Sequence, residues 1–181
     1  MAGILVVFAT VEGQSRLIAE HVAATAIAAG HTATVRAVED AAAEPPGWRD
    51  AIFVIGSIHL GRHAPALERW VIHAADALRA SPSAFLSVSM SAARPEDRPQ
   101  AEGYVRDFLA KTGWQPTMSA TVAGALRYPE YGVLKRWMIR RIAGANGLPT
   151  DTSRAHVLTD WQELTELTLR FLEALPVPST A

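Results

Sequence analysis

The sequence predicts an α/β domain, a three-layer sandwich with helices on both faces of a five-stranded parallel sheet in the order 2-1-3-4-5. Three observations lead there. Short, continuous apolar runs recur along the chain, as strands buried on both faces require. Stretches with helical spacing separate them, which calls for right-handed crossovers. The first run ends in a hydroxyl-bearing turn that opens directly into a helix.

The elements follow in order. Gly3 to Ala9 (GILVVFA) is rich in β-branched and aromatic residues and reads as the first strand. Gly13 to Gly30 reads as a helix, with Leu17, Ile18, His21, Val22, Thr25 and Ala26 on its buried face and Gly30 as its stop. Thr32 to Val38 is the second strand. Glu39 to Trp48, broken by Pro45, Pro46 and Gly47, is a connection with at most a short helix. Ala51 to Gly56 is the third strand. Pro65 to Arg79 is a helix burying Leu67, Trp70, Val71, Ala74 and Leu78. Ala84 to Ser89 is the fourth strand, Pro99 to Lys111 the next helix, and Ser119 to Ala125 the fifth strand. Trp161 to Leu175 is the last helix, with Thr159 and Gln162 at capping-box spacing ahead of it. Residues 1–175 read as one domain, 127–151 as an insertion too long for an ordinary loop, and 176–181 as a frayed tail.

Composition narrows the function. The chain has 181 residues, 49% of them hydrophobic and 19% charged, which is a globular balance. A net charge of -1 gives the whole molecule no reason to seek nucleic acid. There is no cysteine, so disulfides, thiolate metal sites and cysteine redox chemistry are excluded, and any redox function needs a bound cofactor. The opening MAGILVVFAT lacks the basic region and length of a signal peptide, and no apolar run reaches the roughly 18–20 residues of a membrane span. The expected location is the cytoplasm, either free or peripheral on the inner face of the cell membrane. No serine-elbow, zinc-helix or kinase signature is present.

Three loops fall at the carboxyl edge of the predicted sheet, where open α/β sheets bind ligands. The first is Thr10-Val11-Glu12-Gly13-Gln14-Ser15. Unpaired backbone N–H groups and the helix dipole favour an anion there, and Thr10 and Ser15 add hydroxyl donors. Without the spaced glycines of a dinucleotide fingerprint or the lysine of a triphosphate loop, it suits a monophosphate. A plain capped strand-to-helix turn is the other reading. The second loop is Ser57-Ile58-His59-Leu60-Gly61-Arg62-His63, and the third runs from Ser89 and Met90 through Ser91, Ala92 and Ala93 to Arg94.

These loops and the segments beyond them resemble the menaquinone-dependent protoporphyrinogen oxidases of the flavodoxin superfamily. The resemblance spans nearly the whole chain. It rests on the Glu-Gly-Gln core of the first loop, Gly56-Ser57-Ile58, the Gly61 turn, and Pro82-Ser83-Ala84-Phe85 ahead of Ser87-Val88. Arg94-Pro95-Glu96, Gly124-Ala125-Leu126-Arg127-Tyr128-Pro129, Thr150-Asp151-Thr152 and Thr159-Asp160-Trp161 complete it. The resemblance implies a flavodoxin-like fold with a long-chain-type insertion near the fifth strand. It also implies flavin mononucleotide (FMN) as cofactor. Its phosphate would lie on Thr10, Val11, Glu12, Gly13, Gln14 and Ser15, and its ring among Ser57, Ile58, His59, Leu60 and Gly61 and among Ser89, Met90, Ser91, Ala92 and Arg94. The substrate implied is a porphyrinogen and the acceptor a membrane quinone.

Several residues keep two readings. His59 and His63 have the spacing of a helical metal pair, but Gly61 intervenes and no acidic ligand is near, so no metal is expected. They sit either beside the flavin, as donors or proton carriers, or in solvent. Arg94 binds a substrate carboxylate or a reduced flavin at the rim, or pairs with Glu96 or Asp97. Arg127 is a second candidate for the rim. From Arg127 to Arg141, five basic residues stand against Glu130, a local charge of +4, with Leu134, Trp137, Met138 and Ile142 on one helical face. Such a stretch over 127–142 lies in a membrane interface, closes over the flavin, or packs on the domain. Neither the Ser57–His63 nor the Met90–Arg94 loop contains Trp, Tyr or Phe, so the flavin face is expected to stand open to a substrate. That favours an enzyme over an electron carrier, which should show an acidic docking face, and over a flavin-binding regulator.

Overall fold

The computed structural model describes residues 1–42, 49–127, 149–153 and 155–176, with Trp137, Arg140, Arg141, Gly144 and Gly147. Five strands form the main sheet: β1 (Gly3–Ala9), β2 (Thr32–Ala37), β3 (Ala51–Ser57), β4 (Ser83–Ser89) and β5 (Met118–Ala123). They pair in the order β2-β1-β3-β4-β5, each pair parallel. The predicted topology is the observed one.

Alternation along each strand divides its apolar residues between two cores. Ile4, Val6 and Phe8 of β1, Phe53 and Ile55 of β3, and Leu86 and Val88 of β4 face one layer. That layer is closed by α1 (Gln14–Ala28) and the last helix, Trp161–Glu173. Leu5 and Val7, Ile52 and Val54, and Phe85 face the other. Here α2 (Val38–Ala41), α3 (Pro65–His73), α4 (Ala75–Ala80) and α5 (Arg98–Thr112) complete the sandwich, and the Trp161–Glu173 helix is α6.

Four local expectations need correction. The helix expected over 65–79 is two pieces, because Ala74 leaves helical geometry (φ -86°, ψ 10°) between α3 and α4. Both pieces bury side chains in the same core, Trp70 and Val71 from one and Leu78 from the other. The buried face of α1 is rotated from the one expected: Leu17 is 40% exposed, while Ala19 and Ala23 are buried beside Ile18 and Val22. The fifth strand stops at Ala123. The Gly124 N–H still donates to Ser89 O at 3.0 Å, and the chain then leaves as β6 (Ala125–Arg127), antiparallel to β7 (Ala155–Val157). The segment expected as an insertion is therefore bracketed by a two-stranded ladder. Trp137, Arg140 and Arg141 within it are helical and exposed; Leu134, Met138 and Ile142 lie outside the described residues, as do 43–48 and 177–181.

The fourth correction concerns α6. Its N-cap is Asp160, whose Oδ1 accepts from the N–H groups of Gln162 and Glu163, both at 3.0 Å. Thr159 is turned to another task, described below. Asp160→Ala should cost about 1 kcal/mol in denaturant unfolding, with Asp160→Asn retaining most of the stability. An unchanged midpoint for the alanine variant would show that water replaces the cap.

Candidate functional site

The carboxyl ends of β1, β3, β4 and β5 converge on one cleft of about 850 Å³ of open space. Thr10, Val11, Glu12 and Gln14 line it from the first loop, Ser57, Ile58, His59 and Leu60 from the second, and Ser89 and Met90 from the third. Val88, Gly124 and Ala125 complete the wall. These last three were not picked out from the sequence. Gly124 and Ala125 enter because β5 ends early and hands the chain to β6 beside the cleft.

The first loop is built for an anion. Gly13 caps α1 in the left-handed region (φ 82°), with no side chain satisfying the first-turn N–H groups and no acid in that turn. The Thr10 hydroxyl accepts from the Gly13 N–H at 2.8 Å and keeps its own proton to donate. Ser15 is fully buried at the start of α1, and its Oγ has no hydrogen-bond partner. The contrast with the doubly satisfied cap of α6 is direct: no side chain caps the start of α1.

The second loop turns tightly. His59 N–H donates to Arg62 O at 2.9 Å and Arg62 N–H to His59 O at 3.3 Å. Between them Leu60 (φ 50°) and Gly61 (φ 77°) are both left-handed. Gly61 suits this; Leu60 does not, at a cost of about 1 kcal/mol. Leu60 is also 84% exposed. An aliphatic side chain is thus held in a disfavoured backbone shape in the wall of the cleft, which Val11, itself 54% exposed, also lines. Strain of this sort collects where a ligand is met. No Trp, Tyr or Phe lines the cleft among the described residues.

The two histidines part company. His59 lines the cleft. His63 does not reach it; it is a core residue, 3% exposed, with its ring against those of Phe85 and Phe108, which stack on each other. Its Nε2 shares a 3.0 Å hydrogen bond with Ser87 Oγ. Burial pushes its pKa down to about 4, so it is neutral at neutral pH. Of the two histidines, only His59 lines the cleft. Hydropathy gives no warning, because His63 is buried by rings from β4 and α5.

Arg94 resolves toward ion pairing. Its Nε donates to Glu96 Oε1 at 2.9 Å, and a second guanidinium nitrogen bonds the same oxygen. Asp97 Oδ2 lies 3.5 Å away on the other side. The Arg94 hydrogen bond holds the Glu96 carboxyl below the usual carboxylate range. Arg94, Ser91 and Ala92 are not among the residues lining the cleft. Ser91 bonds Gln100 and the Ala92 N–H bonds Ser89 Oγ, so the third loop folds back on α5 after Met90. Arg127 stands in β6, next to the cleft residues Gly124 and Ala125 in sequence.

A family model described as a flavodoxin domain matches residues 5–153. The chain belongs to the flavodoxin family. Flavin binding goes with that membership, and the uncapped first loop fits it. Among flavodoxin-family relatives, protoporphyrinogen IX dehydrogenase (quinone) of Escherichia coli K12 is 39% identical over 163 residues, covering 88% of this chain and 89% of that protein. The protein of the same name from Leishmania major is 32% identical over 129 residues, 71% of this chain and 55% of that one. In three dimensions, flavodoxin 1 from Bacillus cereus superposes with a TM-score of 0.54 at 13% identity, covering 96% of this chain and 99% of that flavodoxin. That likeness is one of fold.

Proposed function

We propose that this flavodoxin-family chain is an FMN-dependent oxidoreductase that takes hydrogen from protoporphyrinogen IX and passes the electrons to a quinone. The observation that carries the reading is the 39% identity to the E. coli dehydrogenase along nearly the full length of both chains. The cleft supports it. The first loop offers donors without cations, suited to a monophosphate, and two exposed aliphatics, Val11 and Leu60, stand at the rim where a flat apolar substrate would lie.

Bound flavin would supply the redox chemistry, and the chain supplies orientation and electrostatics. The hydroxyls of Thr10 and Ser15 would hold the phosphate end. Ile58 and Met90 would give the ring an apolar bed. His59 offers a ring nitrogen to accept or donate a proton inside the cleft. Arg94 is paired with Glu96 and Asp97 and keeps one buried guanidinium nitrogen without a hydrogen bond, so the propionates of the substrate would fall first to Arg127.

The deciding experiment is anaerobic reduction of the FMN-loaded protein by protoporphyrinogen, then reoxidation by a quinone. Loaded protein that does neither ends the enzyme reading and leaves an electron carrier. Within the enzyme reading, Arg127→Ala should raise KM for the porphyrinogen several-fold with little change in kcat, since a remote carboxylate contact is mainly uniform binding. Arg94→Ala should do less.

We further infer that the 127–142 stretch meets an anionic membrane surface, where a quinone resides. Trp137 is 56% exposed with the Arg141 guanidinium 5.3 Å over its ring, and Arg140 is exposed nearby. No described helix is long and apolar enough to cross a membrane, so contact would be peripheral. Each basic residue at such a surface contributes up to about 1 kcal/mol. Co-sedimentation with anionic vesicles should fall as salt rises. Equal binding to neutral vesicles, or none to either, would refute this surface.

A further inference from the structure

Thr159 lies 145 positions from Gln14 in the chain, yet its hydroxyl meets the Gln14 amide at 2.8 Å. The same hydroxyl lies 2.7 Å from Ala123 O and 3.3 Å from Gly124 O. Both residues are buried, Gln14 5% and Thr159 7% exposed.

A hydroxyl has one proton. Carbonyl oxygens only accept, so that proton is spent on the end of β5. Towards Gln14 the hydroxyl has only lone pairs left. Gln14 must therefore present its NH₂ to Thr159, and the reverse amide orientation would set two acceptors against one proton. The amide of Gln14 is thereby fixed by a residue at the far end of the chain. Its carbonyl oxygen, Oε1, is left over: buried, without a hydrogen-bond partner, on a side chain that lines the cleft. A buried acceptor left unpaired costs about 1–3 kcal/mol, so a ligand that donates to it gains.

Phosphate oxygens at neutral pH are acceptors and gain nothing there. A polyol hydroxyl donates. We propose that Thr159 is a positioning residue, which locks the Gln14 amide so that Oε1 takes a hydrogen bond from the sugar-alcohol chain of the flavin. This rests on the flavin reading and adds a division of labour. The hydroxyls and free N–H groups of the loop take the phosphate, while Gln14, held by Thr159, takes the polyol. It also ties the first loop to the point where β5 passes into β6.

Three flavins separate the parts: FMN, riboflavin, which lacks the phosphate, and lumiflavin, which lacks the polyol as well. Affinities come from fluorescence quenching of the full chain. Thr159→Val keeps the shape and removes the hydroxyl. It should weaken FMN and riboflavin by about tenfold each, the size of one hydrogen bond to a buried group, and leave lumiflavin unchanged. Thr159→Ser should restore both. Gln14→Leu should match Thr159→Val, and the double variant should be no worse than either alone. Equal loss of all three flavins in Thr159→Val would make Thr159 a purely structural residue and overturn the assignment. So would unchanged affinity for riboflavin. Wild-type protein that binds none of the three would remove the flavin reading, and the role of Thr159 with it.

Discussion

The Thr10→Ala, Ser15→Ala double variant should bind FMN about 1–3 kcal/mol more weakly than wild type, the loss of two hydrogen bonds to a charged group. Thr10 lines the cleft with a proton free to donate, because its oxygen accepts from the Gly13 N–H. Ser15 sits beneath, buried, with its hydroxyl unused. Neither substitution disturbs the apolar layers, so the fold should survive. Removing Thr10 also frees the Gly13 N–H, which raises the cost to the loop itself. Riboflavin provides the control. It lacks the phosphate, so its affinity should barely move. If FMN binds the double variant as tightly as wild type, the phosphate sits elsewhere. If riboflavin falls as far as FMN, the two hydroxyls shape the loop and do not contact the phosphate.

A second large effect is expected in the stability of the protein against acid. His63 is buried neutral against the stacked rings of Phe85 and Phe108, with its pKa pushed down to about 4. In the unfolded chain it titrates near 6.5. Above about 6.5 neither state holds the proton, and the native state keeps its full stability. Between about 6.5 and 4 the unfolded chain binds a proton that the native state refuses, so stability falls as the pH falls. Below about 4 both states are protonated and this contribution levels off. Across that window the loss is about 3 kcal/mol. Carboxylates titrate in the same range, so the useful quantity is the difference between two proteins. His63→Phe removes the titration while keeping a ring in place, though it leaves Ser87 Oγ without its partner. Its stability at pH 7 should drop, but it should lose about 3 kcal/mol less than wild type on going to pH 4. Parallel pH curves for the two proteins would show that His63 is protonated in the folded state and that the core tolerates its charge.

Much of the site was legible before any coordinates. The loop from Thr10 to Ser15 was marked by a buried strand running into a helix through hydroxyls and one glycine, all within a few residues. Ser57 to Leu60 and Ser89 to Met90 followed from their place after the third and fourth strands. Each of these is a local signal joined to a rule of topology. The misreadings share a different origin. Thr159 and Gln162 have the spacing of a capping box, yet Asp160 does the capping, because the Thr159 hydroxyl is claimed by Ala123 and Gln14. Arg94 suited a substrate or Glu96 equally in sequence, and the fold places its Nε beside Glu96.

The two apolar layers follow from periodicity, while strand order and the position of the cleft follow from the topology rules for open α/β sheets. Residues two apart along a strand must face the same side, and an apolar run with no polar face must be covered twice. That information lies along the chain and needs no partner. The environment of His63, the orientation of the Gln14 amide and the entry of Gly124 and Ala125 into the cleft are of another kind. Each depends on a contact between elements remote in sequence: β4 and α5 around His63, the residue before α6 against the start of α1, and β5 giving way to β6. A hydrogen bond is worth little until packing removes the water that competes for it, and packing brings those elements together only in the folded chain.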